Sequence, residues 1–291
     1  MIHRRDFIAG AIAAAGAAKG AGSRPTLCLF SKHLPKLNYA ELGATVKKLG
    51  FEGVDLTVRA AGHVLPERAA DDMPRAVETL QDHGLAVPMI TTGLVSAMHP
   101  TARPILSTAA RLKVPFYKLG YWSYRGHEVE KAVADVRRDV QGLVELSKEY
   151  GIVAGYHNHS GDYVGSVVWD TRAIIGDLDP RWIGYYFDPC HATAEGGVAG
   201  WEIALRMAAP RIKMVALKDF YWAKQKGKWK MTMCPMGEGM VNWPKVFSML
   251  ATARFAGPIS LHLEYDAADE PAAIGRDLEF TKKQVTAAYG G

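Results

Sequence analysis

Cysteine is scarce in this chain: Cys28, Cys190 and Cys234 are the only three in 291 residues. They are odd in number, widely spaced and form no CxxC pair, which excludes a disulfide framework and a thiolate zinc site. Cys28 sits in an apolar run and is expected to pack there. No run of lysine or arginine stands out either. The formal charge is +5, and Arg4, Arg5 and Lys19 against Asp6 account for two of it. The remaining excess of three is too small for a nucleic-acid face. No predicted strand is followed by a GxGxxG turn, which disfavours an open doubly wound sheet. What is present is apolar mass, 48% of residues, enough for a large core and too much for a disordered chain.

The first 23 residues stand apart. Arg4 and Arg5 precede Phe7-Ile8 and a mild apolar run from Ala9 to Ala18, rich in Ala and Gly. That run is too short and too weakly hydrophobic to span a membrane. Ala15-Gly16-Ala17 and Ala21-Gly22-Ser23 are candidate processing sites. A Sec signal would carry a greasier centre, and a plain basic tail would not need the small-residue stretch. The Arg-Arg-x-Phe-Ile pattern resembles a twin-arginine export signal. The resemblance implies a signal segment over 1–23, a mature domain over 24–291, a periplasmic or otherwise exported location, and the twin-arginine machinery as a partner. That route carries folded, often cofactor-loaded cargo, so it raises the expectation of a metal or cofactor.

Beyond it, strands and helices alternate. Short apolar runs predict strands at 27–30, 53–58, 86–90, 116–119, 152–157, 183–187, 213–218 and 258–264. Between them, apolar residues recur every three or four positions. Asn38 and Glu41 form a capping box ahead of Leu42, Val46 and Leu49, and Gly50 ends that helix. Further helices are expected through Met73, Val77 and Leu80, over 101–112, and from Glu128 to Tyr150. Amphipathic segments follow near 171–177, 201–208, 243–253 and 270–288. Eight such units without a linker predict a single-domain (β/α)8 TIM barrel, which needs roughly 250 residues.

In a barrel, chemistry sits at the carboxyl ends of the strands. Six of the ten histidines fall there: His33, His63, His157, His159, His191 and His262. A single histidine so placed is usually core or surface; the concentration at one rim is what points to a site. Lys32, Arg59, Asp188, Lys218 and Glu264 share that rim. Strand alternation puts His157 with His159, and Ser260 with His262 and Glu264, on common faces. Imidazole and carboxylate together suit a first-row divalent ion. Tyr121, Trp122, Tyr124, Tyr221 and Trp222 either cap the barrel or pack against sugar C–H faces.

Gly155-Tyr156-His157-Asn158-His159, Phe187-Asp188-Pro189-Cys190-His191, Leu217-Lys218-Asp219, Met236-Gly237-Glu238-Gly239 and a Gly257-Pro258 strand ending in Glu264 follow one another in the sequence. This ordered set resembles the sugar phosphate isomerase/epimerase-like barrels of the xylose isomerase-like superfamily, over essentially the whole mature chain. The resemblance implies one divalent ion (Mn, Zn, Co or Mg), held by a Glu, an Asp, a His and a Glu on strands five to eight. Asp188 matches the Asp, and His191 a histidine that touches substrate. His157 stands in place of the first Glu, Ala216 in place of the strand-seven His, and His262 at the last ligand position with Glu264 two residues on.

The expected metal ligands are therefore drawn from His157, His159, Asp188, His262 and Glu264. The expected catalytic groups are Glu264, His157 and Lys218. Lys32, His33, Arg59, His63, Trp122, His191 and Glu238 are expected to bind substrate, with Lys32, Arg59 and His63 taking hydroxyls or a carboxylate. Exported enzymes rarely meet sugar phosphates, and Glu238 between two glycines would repel one. The expected activity is thus a metal-dependent isomerase, epimerase or lyase on a non-phosphorylated sugar or keto-sugar. The alternative is a non-catalytic envelope sugar-binding protein. A nuclease of the same superfamily would need several metals and a basic face. A homo-oligomer is left open.

Overall fold

The computed structural model describes residues 24–290, so the signal-like segment read in 1–23 lies outside the described residues. Eight parallel strands close into a barrel in the order β1-β10-β7-β6-β5-β4-β3-β2. They are β1 (Leu27–Phe30), β2 (Gly53–Val58), β3 (Ala86–Thr92), β4 (Phe116–Lys118), β5 (Val153–His157), β6 (Ile183–Phe187), β7 (Ile212–Leu217) and β10 (Ile259–Leu261). Helices α1 (Tyr39–Leu49), α2 (Ala69–Asp82), α3 (Ala102–Arg111), α4 (Val129–Tyr150), α5 (Val168–Ile175), α6 (Pro189–Ala208), α7 (Trp243–Thr252) and α8 (Glu270–Tyr289) surround it. This is the TIM barrel that the sequence predicts. The Asn38–Glu41 capping box forms on α1, and Gly50 closes that helix in the left-handed region at φ 91°. No helix among the described residues is long and apolar enough to cross a membrane.

Most strand ends shift by one or two residues, and three features depart further from the sequence reading. The first helix after Asp188 begins at Pro189, because Pro fits the first turn and Asp188 caps it, and the helix breaks at Gly197 before continuing to Ala208. Strand β10 ends at Leu261, yet His262 and Glu264 still line the barrel mouth. An unforeseen antiparallel hairpin, β8 (Asp219–Gln225) and β9 (Lys228–Cys234), follows β7. Its turn is Lys226-Gly227, both at positive φ, the twist that two-residue hairpin turns favour.

The barrel interior is layered. Met89, Tyr186, Met214 and Ala216 form an apolar plug with Phe116 against it. Deep burial of each large side chain there contributes about 1.5–3 kcal/mol. Above the plug the inward residues turn polar: Asp55, Thr91, Lys118, His157, Ser260 and His262 are all buried. That polar layer is the floor of the site.

Candidate active site

Asp188 organises one side of the mouth. As N-cap of α6, its Oδ1 accepts the His191 main-chain N–H at 3.1 Å. Capping occupies one oxygen and leaves Oδ2 turned inward. There it meets His157 Nε2 at 3.1 Å, Lys218 Nζ at 3.2 Å and His191 Nε2 at 3.7 Å. The Asn158 side chain clamps the Asp188 main chain, donating to its carbonyl at 3.0 Å and accepting from its N–H at 2.9 Å.

These contacts set charge states. Burial alone would raise the Asp188 carboxyl, but the Lys218 ammonium and the His191 main-chain N–H outweigh it and hold it below its ordinary range. Burial likewise works against the Lys218 ammonium, and Asp188 and Glu264 overcome it, raising its pKa. His157 and His191 move the other way: burial, then the charge of Lys218, push both well below the ordinary imidazole value. Both are neutral, with lone pairs to offer. Tyr121 Oη bonds His157 Nδ1 at 2.8 Å, and Ser160 Oγ bonds His191 Nδ1 at 2.6 Å. His191 Nε2 is buried with no hydrogen-bond partner among the described residues.

Glu264 faces the same centre from beyond β10. Its Oε1 lies 3.5 Å from Lys32 Nζ, 3.8 Å from His262 Nδ1 and 3.9 Å from Lys218 Nζ. Burial pushes its pKa up, but His262, Lys218 and Lys32 more than reverse that, holding it well below the usual carboxylate range. Beneath it lies a second buried carboxylate, Asp55. It accepts from Thr91 Oγ1 at 2.8 Å, Ser260 Oγ at 2.8 Å and Tyr186 Oη at 3.3 Å. His262 Nε2 lies 3.1 Å from Ser260 Oγ and 3.2 Å from Tyr186 Oη. Its Nδ1, turned toward Glu264, is buried with no hydrogen-bond partner among the described residues. Burial raises Asp55, and the hydrogen bonds only partly offset it.

A cavity of about 130 Å³ opens over these groups. Of the residues predicted from the sequence, Lys32, Arg59, His157, His159, Lys218, His262 and Glu264 line it. Asp188 and His191 touch it through His157 and Lys218. His33 stands behind the wall, accepting the Leu263 N–H at 3.1 Å, and burial followed by His262 lowers its pKa to about 3. Three others lie elsewhere. His63 bonds the Leu34 carbonyl and Thr57, tying down the loop after β2. Trp122 stacks on Tyr156 and donates to Asp139. Glu238 borders a separate surface depression with Tyr265 and Arg276. Its Gly237-Glu238-Gly239 turn is wrapped instead around buried Asp219, which accepts the N–H groups of Gly237 and Gly239 and the Trp243 indole. A Cβ on Gly239 would fall 2.1 Å from Asp219 Oδ1.

Lys118 also lines the cavity and was not singled out by sequence. Its signal was a lysine closing the apolar strand 116–118, with Tyr117 facing outward to bond Ser147. Tyr121, read as one of five rim aromatics, faces the cavity, whereas Tyr124 bonds Asp170 away from it.

Residues 44–284 match the family described as the xylose isomerase-like TIM barrel. The chain belongs to this family. No curated protein sequence matches it. Among solved structures, a 3-keto-D-glucoside 4-epimerase from E. coli superposes with TM-score 0.71 at 14% identity, covering 89% of this chain and 100% of that one. A xylose isomerase-like TIM barrel protein from Mycobacterium smegmatis, in complex with magnesium, gives 0.71 at 16%, covering 91% and 98%. A D-allulose 3-epimerase from Methylomonas sp., in complex with D-allulose, gives 0.68 at 14%, covering 90% and 98%. At these identities the likeness establishes the fold.

Can this xylose isomerase-like barrel hold the divalent ion the resemblance implies? One nitrogen from each of His157 and His191 and one oxygen of Asp188 lie within 4.8 Å of one another. Two neutral imidazoles and one ionised carboxylate suit a first-row divalent ion, and the orphaned His191 Nε2 is a donor awaiting a partner. The residues fit. The grouping differs from the sequence reading, which placed His191 on substrate and drew the remaining ligands from His159, His262 and Glu264. Alternation along the strands could not reveal it, because His191 comes from the first turn of α6.

Proposed function

We propose that this protein is a metal-dependent isomerase or epimerase of a non-phosphorylated sugar or keto-sugar, working by removal of a proton next to a carbonyl. The observation that carries the proposal is the convergence of Asp188, two neutral imidazoles, a charged lysine and an ionised Glu264 on one small cavity at the barrel's carboxyl end. His157, Asp188 and His191 would hold the ion. When bound, it supplies Lewis-acid polarisation of the substrate carbonyl.

The chain's own groups account for the rest. Glu264, kept ionised, takes the proton as the C–H bond breaks, and the electron pair moves onto the carbonyl oxygen as an enediolate. The Lys218 ammonium stands between Asp188 and Glu264, where it stabilises that charge. Glu264 returns the proton to the neighbouring carbon in an isomerase; an epimerase would need the Lys218 ammonium to protonate the opposite face and to be restored by the proton on Glu264. Tyr121 orients His157 through Nδ1, and Asn158 fixes Asp188. Two of the proteins of similar fold, the 3-keto-D-glucoside 4-epimerase and the D-allulose 3-epimerase in complex with D-allulose, are sugar epimerases, which supports the substrate class.

The test is to incubate the metal-loaded protein with keto-sugars in D2O and follow the substrate by NMR. Deuterium entering next to the carbonyl supports the proposal. Release of water from the substrate would make it a lyase, the other chemistry these groups can run. Sugar binding without either would leave an envelope sugar-binding protein. The twin-arginine-like start extends the proposal to export, which fusion of residues 1–23 to a reporter tests.

A further inference from the structure

Two cations in the cavity have no part in that chemistry. Lys118 ends β4 and its side chain is buried, 3% exposed. Its ammonium makes no ion pair with a carboxylate among the described residues; it lies over the Tyr121 ring, 3.3 Å from the centroid. Such a cation–π contact is worth about 0.5–2 kcal/mol, less than the several kcal/mol that burying a charge costs. Asp55 is close enough to act on Lys118, but its oxygens already accept from Thr91, Ser260 and Tyr186. Arg59, just past β2, also forms no ion pair, and its Nε is buried without an acceptor. Burial, then the charge of Arg59, pushes the Lys118 pKa well down. Strands β2, β3 and β4 are neighbours in the barrel, so both cations enter the cavity from one side, and neither forms an ion pair among the described residues.

A buried lysine and a half-buried arginine lining one cavity, neither in an ion pair among the described residues, are suited to an incoming anion. We propose that the β2–β4 side of the cavity binds the carboxylate of a sugar acid, leaving the substrate's hydroxyl-bearing carbons toward Asp188 and Glu264. This rests on the sugar reading above and narrows its substrate class. A planar carboxylate matches the guanidinium fork and a point-charge ammonium. Phosphate sites instead draw on helix N-termini and glycine-rich turns for main-chain donors, and Arg59, Thr91 and Lys118 lie on none of these.

The experiment is calorimetric titration of the full chain with D-glucuronate, D-galacturonate and D-gluconate, with D-glucose as the neutral match and inorganic phosphate as the competing anion. At least one acid is expected to bind about tenfold or more tighter than glucose, the scale of a charge-assisted hydrogen bond. Lys118→Met and Arg59→Gln should each remove most of that preference. Lys118→Met should also raise the melting temperature, which shows that the loss is not misfolding. No preference for any acid, or a preference that survives both variants, overturns the inference. Phosphate binding tighter than every acid, and lost in the same variants, overturns it in favour of a phosphoryl group. Binding is read without turnover. Acid preference with no deuterium exchange therefore fails the catalytic reading alone, and exchange on neutral keto-sugars without acid preference fails this inference alone.

Discussion

Lys218 and Lys118 face the same cavity from opposite sides, and both side chains are almost wholly buried. Lys218 lies 3.2 Å from Asp188 and 3.9 Å from Glu264, and its pKa is raised. Lys118 lies over the Tyr121 ring with no ion pair among the described residues, and burial, then the charge of Arg59, lowers its pKa. The same contrast runs through the two buried aspartates. Asp188, paired with a cation, is held low, whereas Asp55, surrounded by hydroxyls, is raised. Burial is common to all four, so the position of the counter-charge decides the sign. The β5–β7 side is balanced and arranged for proton transfer; the β2–β4 side is open to a charge from outside.

The largest effect is expected from Asp188→Asn, which takes the central anion from the balanced side. Exchange of the substrate C–H proton should fall by about a thousandfold or more, since several groups act through this one carboxylate, and bound metal should drop to background by elemental analysis. Full metal content with full exchange would remove Asp188 from the site.

Next come the two lysines, compared by urea unfolding of metal-stripped protein. Lys218→Met leaves Asp188 buried without its nearest cation and should cost about 3 kcal/mol. Lys118→Met removes an uncompensated charge and should gain about 1 kcal/mol. Equal losses in both would mean that the two sides are balanced alike.

The histidines give a pH test of the same protein. His33, His157 and His191 are neutral when folded, with His33 lowered to about 3, but each takes up a proton in the unfolded chain near 6.5. Below that value the unfolded state binds more protons, so stability rises with pH across this window and is lost as pH falls from 6.5 toward 3. The slope should be on the order of 1 kcal/mol per pH unit for each histidine. A flat profile would mean that these rings are charged in the fold. The smallest effect is Tyr121→Phe, which removes the group that orients His157 and should weaken metal binding by about tenfold. Unchanged affinity would exclude Tyr121 from that role.

Much of this was legible in the sequence. Apolar runs bounded by Gly and Pro marked all eight barrel strands, and Asn38 with Glu41 marked the start of α1. The β8–β9 hairpin was not legible, because Lys224, Lys226, Lys228 and Lys230 hide its alternation and Lys226-Gly227 is not a usual turn pair. For the site, clustering at strand ends pointed to Asp188, Lys218 and Glu264, which the fold brings together. It could not tell which rim residues turn inward: His63 and Trp122 answer to loop and helix partners, and Glu238 rides on a turn built around Asp219. The grouping of His191 with His157 depends on helix geometry three residues past a cap, which strand periodicity does not report.

The central claim is proton abstraction next to a carbonyl at the Asp188 centre. It is tested most directly by NMR of a keto-sugar or keto-sugar acid incubated in D2O with metal-loaded wild-type protein and with Asp188→Asn. The account predicts one deuteron incorporated at the carbon beside the carbonyl with the wild type and background exchange with the variant. A sugar that binds the wild type yet never exchanges that proton, or one that exchanges equally in both proteins, would contradict it.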